Sequence, residues 1–408
     1  MSDVIIIANK QSALDTALMK EKLSDVYTYR CSYNLPISSR SFLKIEPRNA
    51  ITAPFHSKEC TIDITKFSMI EKMCLDIGFT TPVGDNTLLD GTHWLSRLFS
   101  LVSFNASSTI IYQYGPEFVN KQIEDADTPQ GLTLQALLNG NRATYAVAIA
   151  GNGTYPVFGP FFENTSMFID NRFCEQLQLR LVVDTFANIG LAEALTALNI
   201  TAHVWYKNLS EEALNAYRAY MYPDNARLQQ LIYDTYQETP LPLAAATNQI
   251  LRLRCPGCIT STTFYASNIL RNLGPTSVGQ IVDVSVQFSG VKIMESIPMR
   301  SIKYDEINYD KNDCYVSQTG DINHNIISAS GVAGRGGVYT INWAQFRDKV
   351  SNSGNVSLLN VNDPMLIFTV DALLTAVANT YQIQAVSIYF KVFSVDSNSG
   401  KISVSGTL

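Results

Sequence analysis

Two periodicities run along the chain. Residues 11–24 (QSALDTALMKEKLS) space Ala13, Leu14, Ala17 and Leu18 at close to 3.6, which predicts a short amphipathic helix. From Arg40 onward the spacing falls to two. Phe42, Ile45, Cys60, Ile62 and Ile64 alternate with Ser41, Lys44, Thr61, Asp63 and Thr65. Met73, Leu75, Ile77 and Phe79 alternate with Lys72, Cys74, Asp76 and Gly78. Successive strand residues point to opposite faces, so this alternation predicts half-buried antiparallel strands. Further strands are expected at 98–104 and 109–114, with Asn105-Ala-Ser-Ser between them, and at 145–149, 177–183 and 200–206. Residues 115–140 read as helical and irregular, punctuated by Asp-Thr-Pro-Gln-Gly.

The pattern then changes. Residues 209–238 read as two helical pieces joined at Pro223-Asp224, with Ser210 as N-cap and Glu211 and Glu212 in the first turn. The prolines at 240 and 242 follow, and the boundary between modules is placed here. Strands resume at 249–254, 260–266, 283–288, 338–343, 366–370 and 385–395, the last with Val386, Ile388, Phe390 and Val392 on one face. The expected division is an N-terminal arm at 1–38, a first sandwich at 39–208, a helical linker at 209–247 and a second sandwich at 248–408. Two such series of short strands predict an all-β chain of two antiparallel sandwiches. No repeat of short fixed period is present, which argues against a solenoid or propeller.

Composition sharpens this picture. The 408 residues suit two domains, each able to bury a sizeable core. Charged residues make up only 16%, against about a quarter in ordinary globular chains, so the surface is neutral enough to meet neighbours in an assembly. Net charge is −6 and no run of five Lys/Arg occurs, so a basic arm that would neutralise nucleic acid is not expected. No 18-residue apolar run predicts a transmembrane helix, and the apolar run 4–7 after Met1-Ser2-Asp3 is too short for a secretory signal. The seven cysteines, at 31, 60, 74, 174, 255, 258 and 314, are odd in number and loosely spaced, which suggests a reducing compartment. The Asn-x-Ser triplets at Asn105 and Asn355 are read as chance.

Candidate chemistry is thin. Cys255-Pro-Gly-Cys258 could be a redox pair or half a zinc site, but a strand pattern follows it and no second Cys or His pair stands at ligand spacing. The reading is a Pro-Gly turn or bulge flanked by buried thiols. His56, His93, His203 and His324 lack partners at ligand spacing, and no G-x-S-x-G elbow exists. The glycines of 331–337 and Gly151-Asn-Gly153 are read as loops rather than phosphate cradles. Glu124, Asp125 and Asp127 read as a solvated loop, and Glu211-Glu212 as acids at a helix start. Trp94, Trp205 and Trp343 are scattered and do not predict a stacking groove. No catalytic, cofactor-binding or metal-ligating residue is assigned, and no cofactor is expected.

The order of segments resembles the double jelly-roll major capsid proteins of the lineage that holds tectiviruses, adenoviruses, virophages and nucleocytoplasmic large DNA viruses. Residues 42–79, with the strand Ile70-Glu-Lys-Met-Cys-Leu-Asp-Ile, are similar to the family's opening strands. LFSLVSFNASSTIIYQYG (98–115) resembles its strand, turn, strand and Tyr-Gly pattern, here continued as Pro116-Glu117-Phe118. Residues 201–237 resemble the last strand of a first jelly roll followed by a helical link. Residues 337–402 resemble the closing passage, with Val338-Tyr-Thr-Ile-Asn-Trp, Ser353-Gly-Asn-Val-Ser-Leu-Leu-Asn and 385–393 followed by Ser399-Gly-Lys.

The resemblance implies two consecutive eight-stranded jelly rolls with helical insertions and a helical linker. It implies a homotrimer, a pseudo-hexagonal block that tiles an icosahedral virion shell assembled inside the host cell. The implied partners are neighbouring capsomers, penton and minor capsid proteins and an internal membrane or core, without direct sequence-specific nucleic-acid binding. The alternatives are a minor capsid or scaffold protein of the same lineage, or a two-domain β-sandwich carbohydrate-binding protein or glycosidase.

Overall fold

The computed structural model describes residues 37–80, 94–125, 150–163, 169–189, 191, 194–211, 214–215, 227–268, 281–302, 339–344, 355–376, 378, 380–396 and 399–405. The helix expected at 11–24, the strand at 145–149, the glycine loop at 331–337, and His93 and His324 lie outside them.

The first half forms β1 (Ile37–Ile45), β2 (Glu59–Asp63), β3 (Met69–Thr80), β4 (Phe99–Ala106), β5 (Thr109–Tyr114), β6 (Ala150–Pro156), β7 (Ile169–Asp170), β8 (Leu177–Val183) and β9 (Ala197–Leu209). Two sheets result, in the orders β1-β9-β3-β6 and β2-β8-β4-β5, with β7 added beside β3. The second half forms β10 (Arg227–Gln237), β11 (Leu241–Pro242), β12 (Asn248–Arg252), β13 (Cys258–Asn268), β14 (Ile281–Phe288), β15 (Val291–Pro298), β16 (Tyr339–Asn342), β17 (Val356–Ser357), β18 (Met365–Val370), β19 (Tyr381–Asp396) and β20 (Ile402–Ser405). Its sheets run β10-β19-β13-β16 and β12-β18-β14-β15, with β11, β17 and β20 as short additions.

Among the described residues, and without the short additions, each half has four strands in each of two sheets. Numbered one to eight along the chain, both halves read 1-8-3-6 in one sheet and 2-7-4-5 in the other. That interleaving is the jelly roll, and it occurs twice. All the pairs are antiparallel.

The alternation read from sequence positions most of these strands. In β8, Leu177, Leu179, Leu181 and Val183 are buried while Gln178, Arg180 and Val182 lean outward. β9 does the same with Leu198, Ile200, Ala202, Val204 and Tyr206. Short helices fill corners: α1 (Pro116–Asp125), α2 (Pro160–Glu163), α3 (Phe186–Ile189) and α4 (Ala372–Ala376).

Several expectations need correction. Residues 227–237, read as the second helical piece, form strand β10 and pair with β19 along their whole length. Ile232, Tyr233, Asp234 and Thr235 are all buried, so the strand is covered on both sides and shows no period of two. Of the first helical piece, Glu211, Leu214 and Asn215 are helical, with the Leu214 N–H donating to the Ser210 carbonyl at 2.8 Å, and the remainder after Ser210 lies outside the described residues. Gly151-Asn-Gly153 is not a loop but the start of β6. Gly151 lies opposite Phe79 on β3, and a Cβ there would sit 2.9 Å from the Phe79 ring, so the sheet takes glycine for lack of room. Phe42 does not join Ile45 on the core face; it lies on the outer face, half exposed, while Leu43 and Ile45 pack inward. Of the strand expected at 353–360, Val356–Ser357 pairs with β13 and Leu358–Asn360 is a single 3-10 turn.

Candidate functional site: the seam between the two jelly rolls

β5 ends the sheet β2-β8-β4-β5, and β10 begins the sheet β10-β19-β13-β16. β5 packs against β10 where the two jelly rolls join. An unpaired strand edge shut away from water would leave costly orphan N–H and C=O groups. Here side chains of β10 take the place of a ladder. Asp234 Oδ1 accepts from the Gln113 N–H and from the Thr235 N–H, each at 2.8 Å. Thr235 Oγ1 donates to the Gln113 carbonyl at 2.5 Å. Both backbone groups that β5 presents at Gln113 are thereby satisfied by the second jelly roll.

The other carboxylate oxygen faces β19. Asp234 Oδ2 accepts from the Tyr389 hydroxyl at 3.2 Å and from the Lys391 ammonium. The Lys391 Nζ also lies 5.3 Å from the Tyr389 ring centroid, a cation–π contact. Asp234 is 1% exposed. Burial pushes its carboxyl above the ordinary range, against the pull of Lys391 and the hydrogen-bond donors. Apolar contacts flank the polar seam. Phe118 of α1 lies 6.1 Å from Tyr233, and Phe161 of α2 meets Phe393 edge-on at 5.2 Å.

A second buried acid organises the turn that sequence reading singled out. Glu238 is wholly buried. Its Oε2 accepts from the Arg254 N–H at 2.7 Å, and its Oε1 from the Cys255 N–H at 3.2 Å and the Ser387 hydroxyl at 3.1 Å. Burial raises its carboxyl as well. The Cys255-Pro-Gly-Cys258 segment is therefore a turn held by a carboxylate at its mouth. Both cysteines are free thiols and buried. Burial pushes Cys255 up to about 12 and raises Cys258, the reverse of a reactive thiolate. Gly257 presses on Tyr389: a Cβ there would come within 2.4 Å of the ring. The turn thus wedges the aromatic that holds Asp234.

The other candidates serve local structure. The Leu195 N–H donates to His56 Nε2 at 3.2 Å, so Nδ1 carries the proton and donates to the Asp184 carbonyl at 2.8 Å. His203 lies on the outer face of β9 beside Phe42, ring centroids 5.2 Å apart. Trp205 takes the Lys72 ammonium over its ring at 5.0 Å, and Trp343 Nε1 donates to Thr262 Oγ1 at 3.1 Å. Glu124 and Asp125 end α1, Glu211 opens the turn after β9, and Asp127 and Glu212 lie outside the described residues. Among the described residues no three His, Cys, Asp or Glu side chains group as metal ligands.

Sequence reasoning passed over Asp234, Glu238 and Lys391. The signal was a lone acid inside the apolar, aromatic run Leu231-Ile-Tyr-Asp-Thr-Tyr236. The helical reading of this segment gave that acid no role. A strand reading makes it a buried charge that requires a partner.

No protein-family model matches the sequence, and no curated protein sequence matches it. Solved structures do. The PBCV-1 virus capsid protein superposes with a TM-score of 0.69 at 10% identity, covering 92% of this chain and 99% of that one. The Faustovirus major capsid protein follows at 0.61 and 9% identity, covering 96% and 98%. The mavirus major capsid protein gives 0.51 at 10% identity, covering 95% of each chain. The likeness runs nearly end to end in both directions, so it includes both jelly rolls and the way they are joined. This chain has the double jelly-roll fold of viral major capsid proteins.

Proposed function

We propose that this chain is a viral major capsid protein, a structural subunit that builds the shell of an icosahedral virion as pseudo-hexameric trimers. The observation that carries this reading is the repeated jelly roll: two modules of the same strand order lie side by side in one chain, joined by a dry, hydrogen-bonded seam. Such a chain is two adjacent tiles made as one piece, and three chains supply six. The end-to-end match to capsid proteins supports the same reading.

The role is structural rather than catalytic. The buried acids that would draw attention in an enzyme, Asp234 and Glu238, are occupied by backbone N–H groups, hydroxyls and a lysine of their own fold. The partners are further copies of this chain, neighbouring capsomers, and penton and minor capsid proteins, with an internal membrane or core beneath. Localisation is the virion. The division we propose is an arm at 1–38, a first jelly roll at 39–208, a link, and a second jelly roll that opens with β10 rather than at 248.

Light scattering on the purified chain, with negative-stain images of the same sample, tests the proposal. A mass of three chains and hexagonal particles support it. A clean monomer without a hexagonal outline overturns it.

A further inference from the structure

The seam shows how one jelly roll meets the next: the backbone of the fifth strand of the first, β5, is held at Gln113 by side chains of the first strand of the second, β10. The fold repeats those two strands. The fifth strand of the second jelly roll is β15, and the first strand of the first jelly roll is β1. Among the described residues β15 pairs only with β14, and β1 only with β9, so each has a free outer edge.

Their surfaces differ from the buried seam in one respect. β5 is half buried beneath its neighbour, whereas β15 is exposed at six of its eight positions, with only Met294 and Ile297 partly buried against the second core. Val291 is 65% and Ile293 49% exposed. A bare strand carrying apolar residues and a free edge is a hazard for a lone molecule. Its hairpin is well made: Ser289 and Gly290 both take positive φ, the two-residue turn that suits twisted antiparallel strands. It is therefore an ordered strand that lacks a cover among the described residues. β1 offers a matching surface. Phe42 stands 50% exposed on it, 5.2 Å from the Trp205 ring.

We infer that β15 of one copy docks against β1 of a second copy, as β5 docks against β10 within the chain. The inference rests on the capsomer reading above and names the contact that reading needs. The contact is heterologous, because β15 and β1 are different surfaces, and repetition of the same step closes a ring. Val291 and Ile293 would lose water against Phe42 and Trp205, which makes this contact more apolar than the β5–β10 seam.

The test uses two variants of the full chain. Val291→Lys with Ile293→Lys spoils the β15 surface, and Phe42→Glu spoils the β1 surface. All three sites are solvent-exposed, so each variant should fold, with a far-UV circular dichroism spectrum that matches the wild type. Ile293→Lys alone replaces the double change should that chain fail to fold. By light scattering, each variant alone is expected as a monomer. Mixed in equal amounts, they are expected to form a dimer and nothing larger, since each retains the surface that the other has lost. Variants that remain trimeric, or monomers that stay monomeric when mixed, overturn the β15–β1 contact while a trimeric wild type leaves the capsomer reading standing. A monomeric wild type overturns both.

Discussion

The two jelly rolls share a strand order but not their independence. The first core draws Ile232, Tyr233, Ile388, Phe390, Phe393, Val395 and Ile402 from the second half of the chain. Among the described residues the second core draws on nothing before Leu243, apart from partly buried Tyr236 and Leu241 at its margin. Dependence therefore runs one way. The first jelly roll completes its core with β10, β19 and β20, the last of which follows nearly all of the chain. Contacts so distant in sequence are entropically costly to close and slow to form. The second jelly roll can organise itself from its own residues, and the first then condenses on it.

The sharpest way to break that comparison is to cut the core on which the two halves meet. Phe393 is on a strand of the second jelly roll but is fully buried in the first core against Phe161. Phe393→Ala should cost about 3–5 kcal/mol. Hydrogen exchange should show protection falling across β3, β8 and β9 before β12 and β18. Loss confined to the second jelly roll would refute one-way dependence. Asp234→Ala should cost a comparable amount, about 3–5 kcal/mol in denaturant titration, because it strands the ammonium of Lys391 and the Gln113 N–H in a dry seam. Gly257→Ala should cost less, about 1–3 kcal/mol, by forcing Tyr389 from its place beside Asp234. A full cost for Asp234→Ala with none for Gly257→Ala would mean that Tyr389 contributes little to the lock.

How much of this could be seen in the sequence follows from the same asymmetry. Strands with one wet face were legible: β8 was placed to the residue, and β3, β9 and β18 nearly so, because alternation records a core on one side only. Strands at junctions were not. β10 is buried on both sides and imitates a helix; β15 buries only Met294 and Ile297, and these only in part, so it shows no regular alternation. β6 opens Ala-Gly-Asn-Gly and reads as a turn, since the ring that forbids a side chain at Gly151 lies on a strand 72 residues earlier in the alignment of Phe79 with Gly151. The Cys255–Cys258 turn was legible as a turn with buried thiols, but Glu238 and Asp234 were not, because their donors come from other strands.

A gentler probe of the seam is pH. Burial holds the carboxyls of Asp234 and Glu238 above their ordinary range. The folded chain therefore keeps these two protons to higher pH than the unfolded chain does. In the window between the unfolded and the folded values the folded state binds more protons, so the stability these groups contribute falls as pH rises through it. Asp184 is raised by burial in the same way and Glu295 is lowered by Lys292, so the test is a difference. Denaturant midpoints followed from acid to neutral pH in the wild type and in Asp234→Asn with Glu238→Gln should show a less negative slope in the double variant. An unchanged slope would mean that Lys391 and the backbone donors balance burial in full.

The smallest effect should come from an ion pair that looks like the seam on paper. Arg180 Nη2 and Glu59 Oε2 stand 2.6 Å apart across β8 and β2, and both side chains are more than two-fifths exposed. The Asp234–Lys391 pair has its acid 1% and its lysine 15% exposed. Water and salt screen the first pair, and holding two long side chains still offsets much of what remains. Arg180→Ala should therefore shift stability by about 0.2–1 kcal/mol, and the shift should shrink as ionic strength rises. Asp234→Ala should keep its cost at high salt, because the dry seam admits no counterions to screen it. Equal salt dependence in the two variants would show that the seam opens to water, and the comparison between a locked junction and an ordinary surface would fall with it.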